Sequence, residues 1–359
     1  MPQVRELRVA VVGATGIVGQ TLLKILENSD FLIKDIHCIA SHRSKGQIIH
    51  FRNEVYEVQD LEEFDFNQVD LVFGCVGSQT SKTFIPKLPK HVILIDEASF
   101  LRLDTDIPLV IPEINSNKIK EYTKKNIIAS PNCCTVPIVM VIHVLKQLAK
   151  IKRIVVSTYQ SCSGAGKAAI DELLNNTNGA LLGKSFMNCN KLQSNNALMR
   201  DISFNVLPQV GKFDYYEGHN NDTDEEVKIR DEINKILEET IDISVTAVRV
   251  PVLVGHSFSC NIEFESSIDL EKTIDILKNS KGINYQENYL TPKELIGPII
   301  FNPNDKYQNL IHVSRVRHSV SGNKTILDLW IVANNLTKGA ALNLFQIAED
   351  LLPTLSQKN

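Results

Sequence analysis

Nowhere in the 359 residues does an apolar run approach the ~18 residues of a membrane-crossing helix, so no span is expected. The N-terminus has no charged lead and apolar block of signal-peptide size, and a cytoplasmic chain is expected. The seven cysteines are Cys38, Cys75, Cys133, Cys134, Cys162, Cys189 and Cys260, an odd number without a C-x-x-C pair. That pattern argues against a disulfide framework and fits a reducing cytosol. No Cys or His spacing suits a metal, and none is expected. Neither charge dominates: the formal net charge is −4. A broad basic face for nucleic acid is thereby disfavoured, while a small local site for an anion is not. Internal repeats and low-complexity tracts are missing too. The length allows a large core and two domains.

What is present centres on Ser130-Pro131-Asn132-Cys133-Cys134-Thr135. A short apolar run, Asn126 to Ala129, reads as a buried strand before it. Val136 to Ala149 follows, with Val136, Val139, Met140, Val144, Leu145 and Leu148 at helical spacing. Pro137 suits a first helical turn. Cys133 thus falls where a strand stops and a helix starts, and the positive helix end favours a thiolate. The plain alternative is that Cys133 and Cys134 are ordinary buried small residues.

Leu7 to Val12 reads as a strand that runs into Gly13-Ala14-Thr15-Gly16-Ile17-Val18-Gly19, and Leu22, Leu23 and Leu26 then mark a helix. Strand, glycine turn and helix together point to a dinucleotide site, with a tight βα turn that holds no ligand as the alternative. Gly13 would allow the tight turn, Gly16 a close approach of pyrophosphate, and Gly19 close helix–strand packing. The second strand, Ile36 to Ala40, is followed by Ser41-His42-Arg43-Ser44-Lys45-Gly46. An NAD site would place an acid there. Two hydroxyls and two cations suit a 2′-phosphate instead, so NADP is favoured; a solvated basic turn is the alternative. Val69 to Phe73 and Val92 to Ile95 are further strands, with a short helix over Gln79 to Leu88. The strand–helix alternation implies a parallel sheet. Gly13, Ser41, Ser78, Asp96 and Cys133 all fall at strand ends, where such sheets bind ligands.

Arg153 to Tyr159 reads as a strand leading to Ser163-Gly164-Ala165-Gly166 and a helix over Lys167 to Leu174. Ser-Gly-Ala-Gly there is a nest of backbone N–H groups or plain turn chemistry. Asn175 to Asp222 is Asn-rich and weakly periodic, and is taken as a subunit-contact segment. Thr223 and Glu226 match a capping box for a helix to about Glu239, which leaves Glu225 for other work; a surface ion pair with Lys228, three residues on, is the plain alternative. Ile243 to Val250 carries Arg249, and a turn leads to His256 and an alternating strand through Phe258, Cys260, Ile262 and Phe264. An Arg and a His near one strand end are candidates for carboxylate binder and base. Asp269 to Lys278 is a helix, Ile311 to Val316 and Thr325 to Val332 are strands, and Ala341 to Leu352 is a last helix. These strands make a second, mixed sheet, open on one face and suited to dimer packing.

With these residues in view, the chain resembles the bacterial aspartate-β-semialdehyde dehydrogenase family. The resemblance rests on GATGIVG, SHRSKG, the Asp96 to Arg102 stretch with VIPEIN, SPNCCT, YQSCSGAG, EEVK, RVPVLVGHS and NLTKGAALN, in order along nearly the whole chain. It implies an α/β fold: a Rossmann-type NADP-binding domain over 1–132, completed by the C-terminal helix 336–359, and an α+β catalytic and dimerisation domain over 133–335. It implies Cys133 as nucleophile, Gln160 to orient substrate and His256 as acid/base. Arg249 would hold the α-carboxylate and Glu225 the amino group, Arg102 and Lys228 the phosphate, with Asn132 also at the substrate. NADP contacts would fall on Gly13, Thr15, Gly16, Ile17, Val18, Ser41, Arg43, Ser44, Ser163, Gly164 and Asn335. A homodimer or homotetramer is implied. The chain departs from the family at Glu97 and Ala98, where Asn and Ser are usual, and at Cys134, where Ser is usual. Glu97 would oppose phosphate binding if turned toward Arg102, and the second thiol bears on oxidation.

The implied reaction reduces β-aspartyl phosphate to aspartate semialdehyde through a Cys133 thioester, feeding lysine (through diaminopimelate), threonine and methionine synthesis. Another phosphorylating aldehyde dehydrogenase, such as N-acetyl-glutamyl-phosphate reductase or glyceraldehyde-3-phosphate dehydrogenase, would share the same cofactor-plus-cysteine logic. An acetylated amine would not need Glu225. A non-catalytic NADP-binding redox sensor built on Cys133 and Cys134 is the reading from another class.

Overall fold

The computed structural model describes residues 6–183, 197–198, 200–213, 221–296, 305–321 and 324–356. The chain divides into two compact units, Met1–Asn132 with Gly339–Asn359, and Cys133–Lys338.

Strands of the first unit are β1 (Leu7–Val12), β2 (Ile33–Ala40), β3 (Ile48–Phe51), β4 (Glu54–Glu57), β5 (Gln59–Asp60), β6 (Leu71–Gly74), β7 (Ile93–Asp96) and β8 (Ile127–Ala129). β3 and β4 form an antiparallel hairpin of their own. The rest make a parallel sheet ordered β5-β2-β1-β6-β7-β8. β6 is a continuous apolar run, and β1 is one from Val9 onward, as strands covered on both faces require. Helices α1 (Ile17–Glu27), α2 (Ser78–Phe84), α3 (Ser99–Arg102) and α4 (Pro112–Asn115) lie between strands. From β1 the chain winds first to β2 and later to β6 on the opposite side. The switch point therefore lies at the carboxyl ends of β1 and β6.

The second unit holds helices α5 (Thr135–Leu145), α6 (Lys167–Leu181), α7 (Asp224–Leu237), α8 (Leu270–Lys278) and α9 (Pro292–Ile296). Its strands are β9 (Ile151–Gln160), β10 (Asp242–Arg249), β11 (His256–Phe264), β12 (Ile283–Tyr285), β13 (Ile311–Ser321) and β14 (Lys324–Ala333). They form a mixed sheet ordered β10-β9-β11-β14-β13-β12. β9 is parallel to β10 and antiparallel to β11, so β10 and β11 are separated by β9 although they follow one another in sequence. Ile154, Val156 and Thr158 of β9 and Phe258, Cys260 and Ile262 of β11 are buried on one face; Val155, Ser157, Tyr159, Ser259 and Asn261 alternate with them and stay partly or wholly exposed. The chain then rejoins the first unit as α10 (Leu342–Ser356), whose Leu344, Ile347 and Leu351 enter the core of Val9, Leu22 and Phe73. Residues 336–338 stay with the second unit, where the Thr337 hydroxyl donates to the Gln308 carbonyl.

Several element boundaries differ from those read in the sequence. α5 stops at Leu145 rather than Ala149, because Gln147 and Leu148 donate three residues back and close tight turns. α2 ends at Phe84, and Ile85–Lys87 form a 3₁₀ turn around Pro86. α6 runs to Leu181, seven residues past the expected end at Leu174; Ala169, Leu173 and Ala180 keep one buried face despite the Asn content. Of the rest of the expected subunit-contact segment, 184–196 (with Cys189), 199 and 214–220 lie outside the described residues, while Leu198, Ile202 and Leu207 of the described part are buried in one cluster.

Candidate active site

Sheet register assembles the site of the second unit. Gln160 ends β9 and pairs with Arg249 at the end of β10, while Tyr159 pairs with Ser257 next to His256 on β11. Three neighbouring strand ends thus present Gln160, Arg249 and His256, all buried. Cys133 lies two residues ahead of α5 and is half-buried, with its Sγ 3.4 Å from His256 Nε2. Cys134 caps the same helix and is fully buried. Burial, and the neighbouring Cys133, push its thiol well above the usual range. Cys134 therefore stays protonated while Cys133 faces the histidine.

The other imidazole nitrogen is fully engaged. Nδ1 accepts from the Ser161 backbone N–H at 3.0 Å, and the Ser161 hydroxyl lies 3.1 Å away. Cys133, Cys134 and His256 have ligand atoms within 4.8 Å of one another, a spacing open to a cation. A metal-bound imidazole keeps its lone pair at the metal and a proton on the other nitrogen. Here a backbone N–H occupies that other nitrogen, which disfavours a cation.

Around this pair lie the remaining expected residues of the unit. Arg249 Nη1 donates to the Ser161 carbonyl at 2.7 Å, which fixes its guanidinium. Gln160 Nε2 donates to Glu225 Oε1 at 3.3 Å and to the Thr158 hydroxyl at 3.2 Å. Glu225 is buried on the first turn of α7. The capping box is present: Thr223 Oγ1 accepts from Glu226 N and Glu226 Oε2 accepts from Thr223 N, while Glu226 Oε1 also accepts from Ala247 N. Glu226 is thereby occupied, and Glu225 is left to face Gln160. Lys228 pairs with Asp224 one turn back, at 2.7 Å, and stays partly exposed. A Cβ on Gly164 would lie 3.2 Å from Arg249 Nη1 and 3.3 Å from the His256 ring, so a side chain there would push on both by a few tenths of an ångström. Ser163 and Asn335 are buried and hydrogen-bond each other behind His256.

In the first unit the glycine loop closes over the switch point. Gly13 has φ +90°, and a Cβ there would meet the Cys75 carbonyl at 2.4 Å. On Gly19 it would meet the Gly13 carbonyl at 2.2 Å. Gly16 is the N-cap of α1 and no side chain caps that helix, which leaves its leading N–H groups for a phosphate. Thr15, Ile17 and Val18 lie along this turn, and the Thr15 hydroxyl reaches Ser44 Oγ at 3.3 Å. The loop therefore fits a dinucleotide and joins it to the turn after β2. Ser41 and Arg43 are exposed on that turn. An acid also stands beside it: Asp60 of β5 accepts from His42 Nδ1 at 2.7 Å and from Glu62 N. These bonds hold the Asp60 carboxyl below its ordinary range. Arg102 is buried on α3, and its Nη2 donates to the Glu97 backbone carbonyl at 2.5 Å. Asn132 is buried at the end of this part of the chain.

Sequence reading missed Ser161 and Thr158, which support His256 and Gln160, and Asp60. Alternation along β9 marks Thr158 as inward-facing, but nothing local in the sequence aims Ser161 at a histidine 95 residues away.

Comparison with known proteins adds two family models. Residues 8–122 match the NAD binding domain of semialdehyde dehydrogenases, and residues 143–338 match their dimerisation domain. Aspartate-semialdehyde dehydrogenase of Rickettsia conorii is 40% identical over 355 residues, covering 97% of this chain and 98% of that protein. The protein of the same name from Aquifex aeolicus is 40% identical over 348 residues, covering 96% and 98%. Crystal structures of aspartate semialdehyde dehydrogenase II from Vibrio cholerae, one of them complexed with ASA, superpose with a TM-score of 0.86 at 36% identity, over 97% of this chain and 99% of theirs.

Proposed function

Since the chain belongs to the aspartate-semialdehyde dehydrogenase family, we propose that it reduces β-aspartyl phosphate to aspartate semialdehyde with NADPH, through a thioester on Cys133. The observation that carries this reading is the Cys133–His256 pair at 3.4 Å, ringed by Gln160, Glu225 and Arg249. The chain is an oxidoreductase of that family with a nicotinamide dinucleotide domain.

Cys133 attacks the acyl carbon as a thiolate, favoured by the start of α5. A C–S bond forms, the C–O bond to phosphate breaks, and the leaving electrons go out with phosphate, which takes up a proton and departs as hydrogen phosphate. Arg102 and Lys228 are the phosphate cations of this proposal, with Asn132 at the substrate. Arg249 grips the α-carboxylate, since its guanidinium is anchored and can present a fork of donors. Glu225 takes the ammonium, and Gln160, held by Glu225 and Thr158, orients the acyl group. His256 serves the oxygen of the tetrahedral intermediate. Bound NADPH supplies the hydride that reduces the thioester. Covalent capture splits one hard step into two. A free amine and a carboxylate both find partners here, which supports an amino-acid substrate over an acetylated one.

Gly13, Thr15, Gly16, Ile17 and Val18 cradle the pyrophosphate in this proposal, and Ser163, Gly164 and Asn335 are its second set of cofactor-side residues. Ser41, Arg43 and Ser44 meet the 2′-phosphate of NADP. Asp60 stands near that phosphate as an ionised carboxylate whose oxygens are turned to the Glu62 N–H and His42. The first unit is thus the cofactor domain and the second the catalytic and dimerisation domain. We assign the chain to the cytoplasm, where its product would feed lysine, threonine and methionine synthesis; none of its six described cysteines is in a disulfide. Among the described residues no helix is long and apolar enough to cross a membrane. The half-exposed face of the mixed sheet is our candidate for a homodimer contact.

The test is NADPH formation from aspartate semialdehyde, with and without phosphate, run with NADP and NAD on wild type and Cys133→Ser. Phosphate-dependent reduction of NADP by wild type alone is expected. No turnover in protein that still binds NADPH would move the assignment to a sister aldehyde dehydrogenase, and activity retained in Cys133→Ser would sink the thioester.

A further inference from the structure

We propose that Cys134 is a positioning residue whose buried thiol donates a hydrogen bond to the Cys133 sulfur and so holds the nucleophile as a thiolate. The inference deepens the reading above and rests on Cys133 being the nucleophile.

Cys134 follows Cys133 directly and has no exposure to solvent, whereas Cys133 is half-buried. The Cys134 sulfur lies within 4.8 Å of both Cys133 Sγ and a ring nitrogen of His256. The two cysteine side chains hydrogen-bond each other. The direction of such a bond depends on which sulfur ionises, since a thiolate has no proton to give. Burial pushes the Cys134 thiol well above its ordinary range. The bond to Cys133 and the charge of Glu225 on α7 push the same way, while Arg249 at the end of β10 opposes them. Cys134 therefore keeps its proton. Cys133 stands at the positive start of α5, with His256 Nε2 of β11 at 3.4 Å, where a negative charge is favoured. The proton of the bond thus belongs to Cys134 and the charge to Cys133.

The helix start does not compete for this donor. Cys134 makes no side-chain cap bond on α5. Its backbone, at φ −88° and ψ −35°, is already helical, and not in the extended shape from which a cap side chain folds back on the leading N–H groups. Sulfur is also a weak acceptor, so a thiol serves there mainly through its S–H. The change from the usual Ser to Cys134 keeps one donor beside the nucleophile.

The bond acts at two points of the reaction. Before acyl transfer it stabilises the Cys133 charge, so that more of the enzyme carries a nucleophile at neutral pH. Hydride addition to the thioester carbon later moves the carbonyl pair onto oxygen. That pair re-forms C=O as the C–S bond breaks, and the bond electrons return to Cys133 Sγ. The Cys134 proton stays on its own sulfur throughout and is neither consumed nor released. A hydrogen bond to a charged acceptor is stronger than one to a neutral acceptor, so the donor favours the thiolate over the thioester. His256 keeps its task at the acyl oxygen.

Alkylation of the full-length protein by iodoacetamide across pH, with the modified residue identified by mass spectrometry, reads the Cys133 thiolate without any substrate. Cys134→Ala removes the donor and should raise the midpoint of the rate profile by about one pH unit. It should also raise the plateau at high pH by about threefold, because a more basic thiolate is the better nucleophile. The two profiles then cross, which a loss of packing alone does not produce. Cys134→Val, which fills the site without a donor, should shift as Cys134→Ala does, and Cys134→Ser should bring the midpoint back toward wild type. An unchanged midpoint in Cys134→Ala and Cys134→Val would overturn the proposal. So would a Cys134→Ser profile shifted as far as theirs, or alkylation of Cys134 ahead of Cys133 in wild type. In turnover, kcat/KM of Cys134→Ala for the aldehyde should fall by about tenfold below the midpoint and approach wild type above it. An equal loss at every pH would make Cys134 a packing residue and overturn its positioning role. No turnover of aspartate semialdehyde by wild type would overturn the substrate reading, while the alkylation profile still decides the role of Cys134.

Discussion

Asp96 shows how a single buried group sets a pH dependence. It ends β7 with no exposure to solvent; Ala98 N donates to it at 2.5 Å and the Ser81 hydroxyl at 3.2 Å. Burial raises its pKa from 3.8 to about 6, although those bonds and Arg102 pull the other way. Between these values the folded chain binds more protons than the unfolded one, so stability falls as pH rises through the window. The displacement is worth roughly 3 kcal/mol above it. Asp96→Asn keeps an acceptor for Ala98 N and carries no charge to bury. Urea unfolding across pH should show the variant more stable by about 1–3 kcal/mol near neutrality, with the gain fading toward pH ~4. A difference independent of pH would mean that Asp96 does not titrate there.

At the scale of elements, α7 positions Glu225 by means of its own cap. Thr223 and Glu226 close the helix start reciprocally, and Glu226 also accepts from Ala247 N on β10. Thr223→Ala should destabilise the fold by about 1 kcal/mol, within the 0.5–2 kcal/mol usual for a lost N-cap. It should also raise the KM for the aldehyde, because the turn that carries Glu225 loosens; an unchanged KM with lowered stability would separate cap from site. This cap was legible in sequence because it spans four residues. So was the strand–glycine–helix start: Gly19 is required by the Gly13 carbonyl within the same turn, whereas Gly13, at φ +90°, is also crowded by the Cys75 carbonyl just past β6, which no local pattern shows. Helix ends read less well. α6 continues through Asn175 and Asn176 because Ala180 still reaches a buried face, and α5 stops short because its last residues turn instead of stacking. The placing of Gln160 beside Arg249 depends on β9 entering between β10 and β11, a register with no local signature. His256 was legible as a candidate, whereas the group that holds its Nδ1 was not, since Ser161 acts through a backbone N–H that any residue type but proline would carry.

For the whole molecule the open question is what covers the second face of the mixed sheet. Along β9, β11 and β14 the inward residues are buried, whereas Val155, Ser157, Ser259, Asn261, Ile326 and Asp328 on the other face are half-buried or exposed. A sheet face left in that condition, in a stretch matched by a dimerisation-domain model, suits a second copy of the chain. In a two-fold contact a central residue meets the same patch of its partner, so one substitution acts twice. Ser259 is exposed on the middle strand and is paired in register with Ser157 and Trp330. Because Ser259 is exposed, Ser259→Arg should leave the isolated subunit folded, while bringing two cations into one contact. Light scattering should give twice the chain mass for wild type and a shift toward the monomer for the variant. Trp330 is the chain's only tryptophan and should report the same change by fluorescence on dilution. A wild-type dimer that Ser259→Arg leaves intact would place the contact elsewhere on the second unit, and a monomeric wild type would remove the dimer altogether.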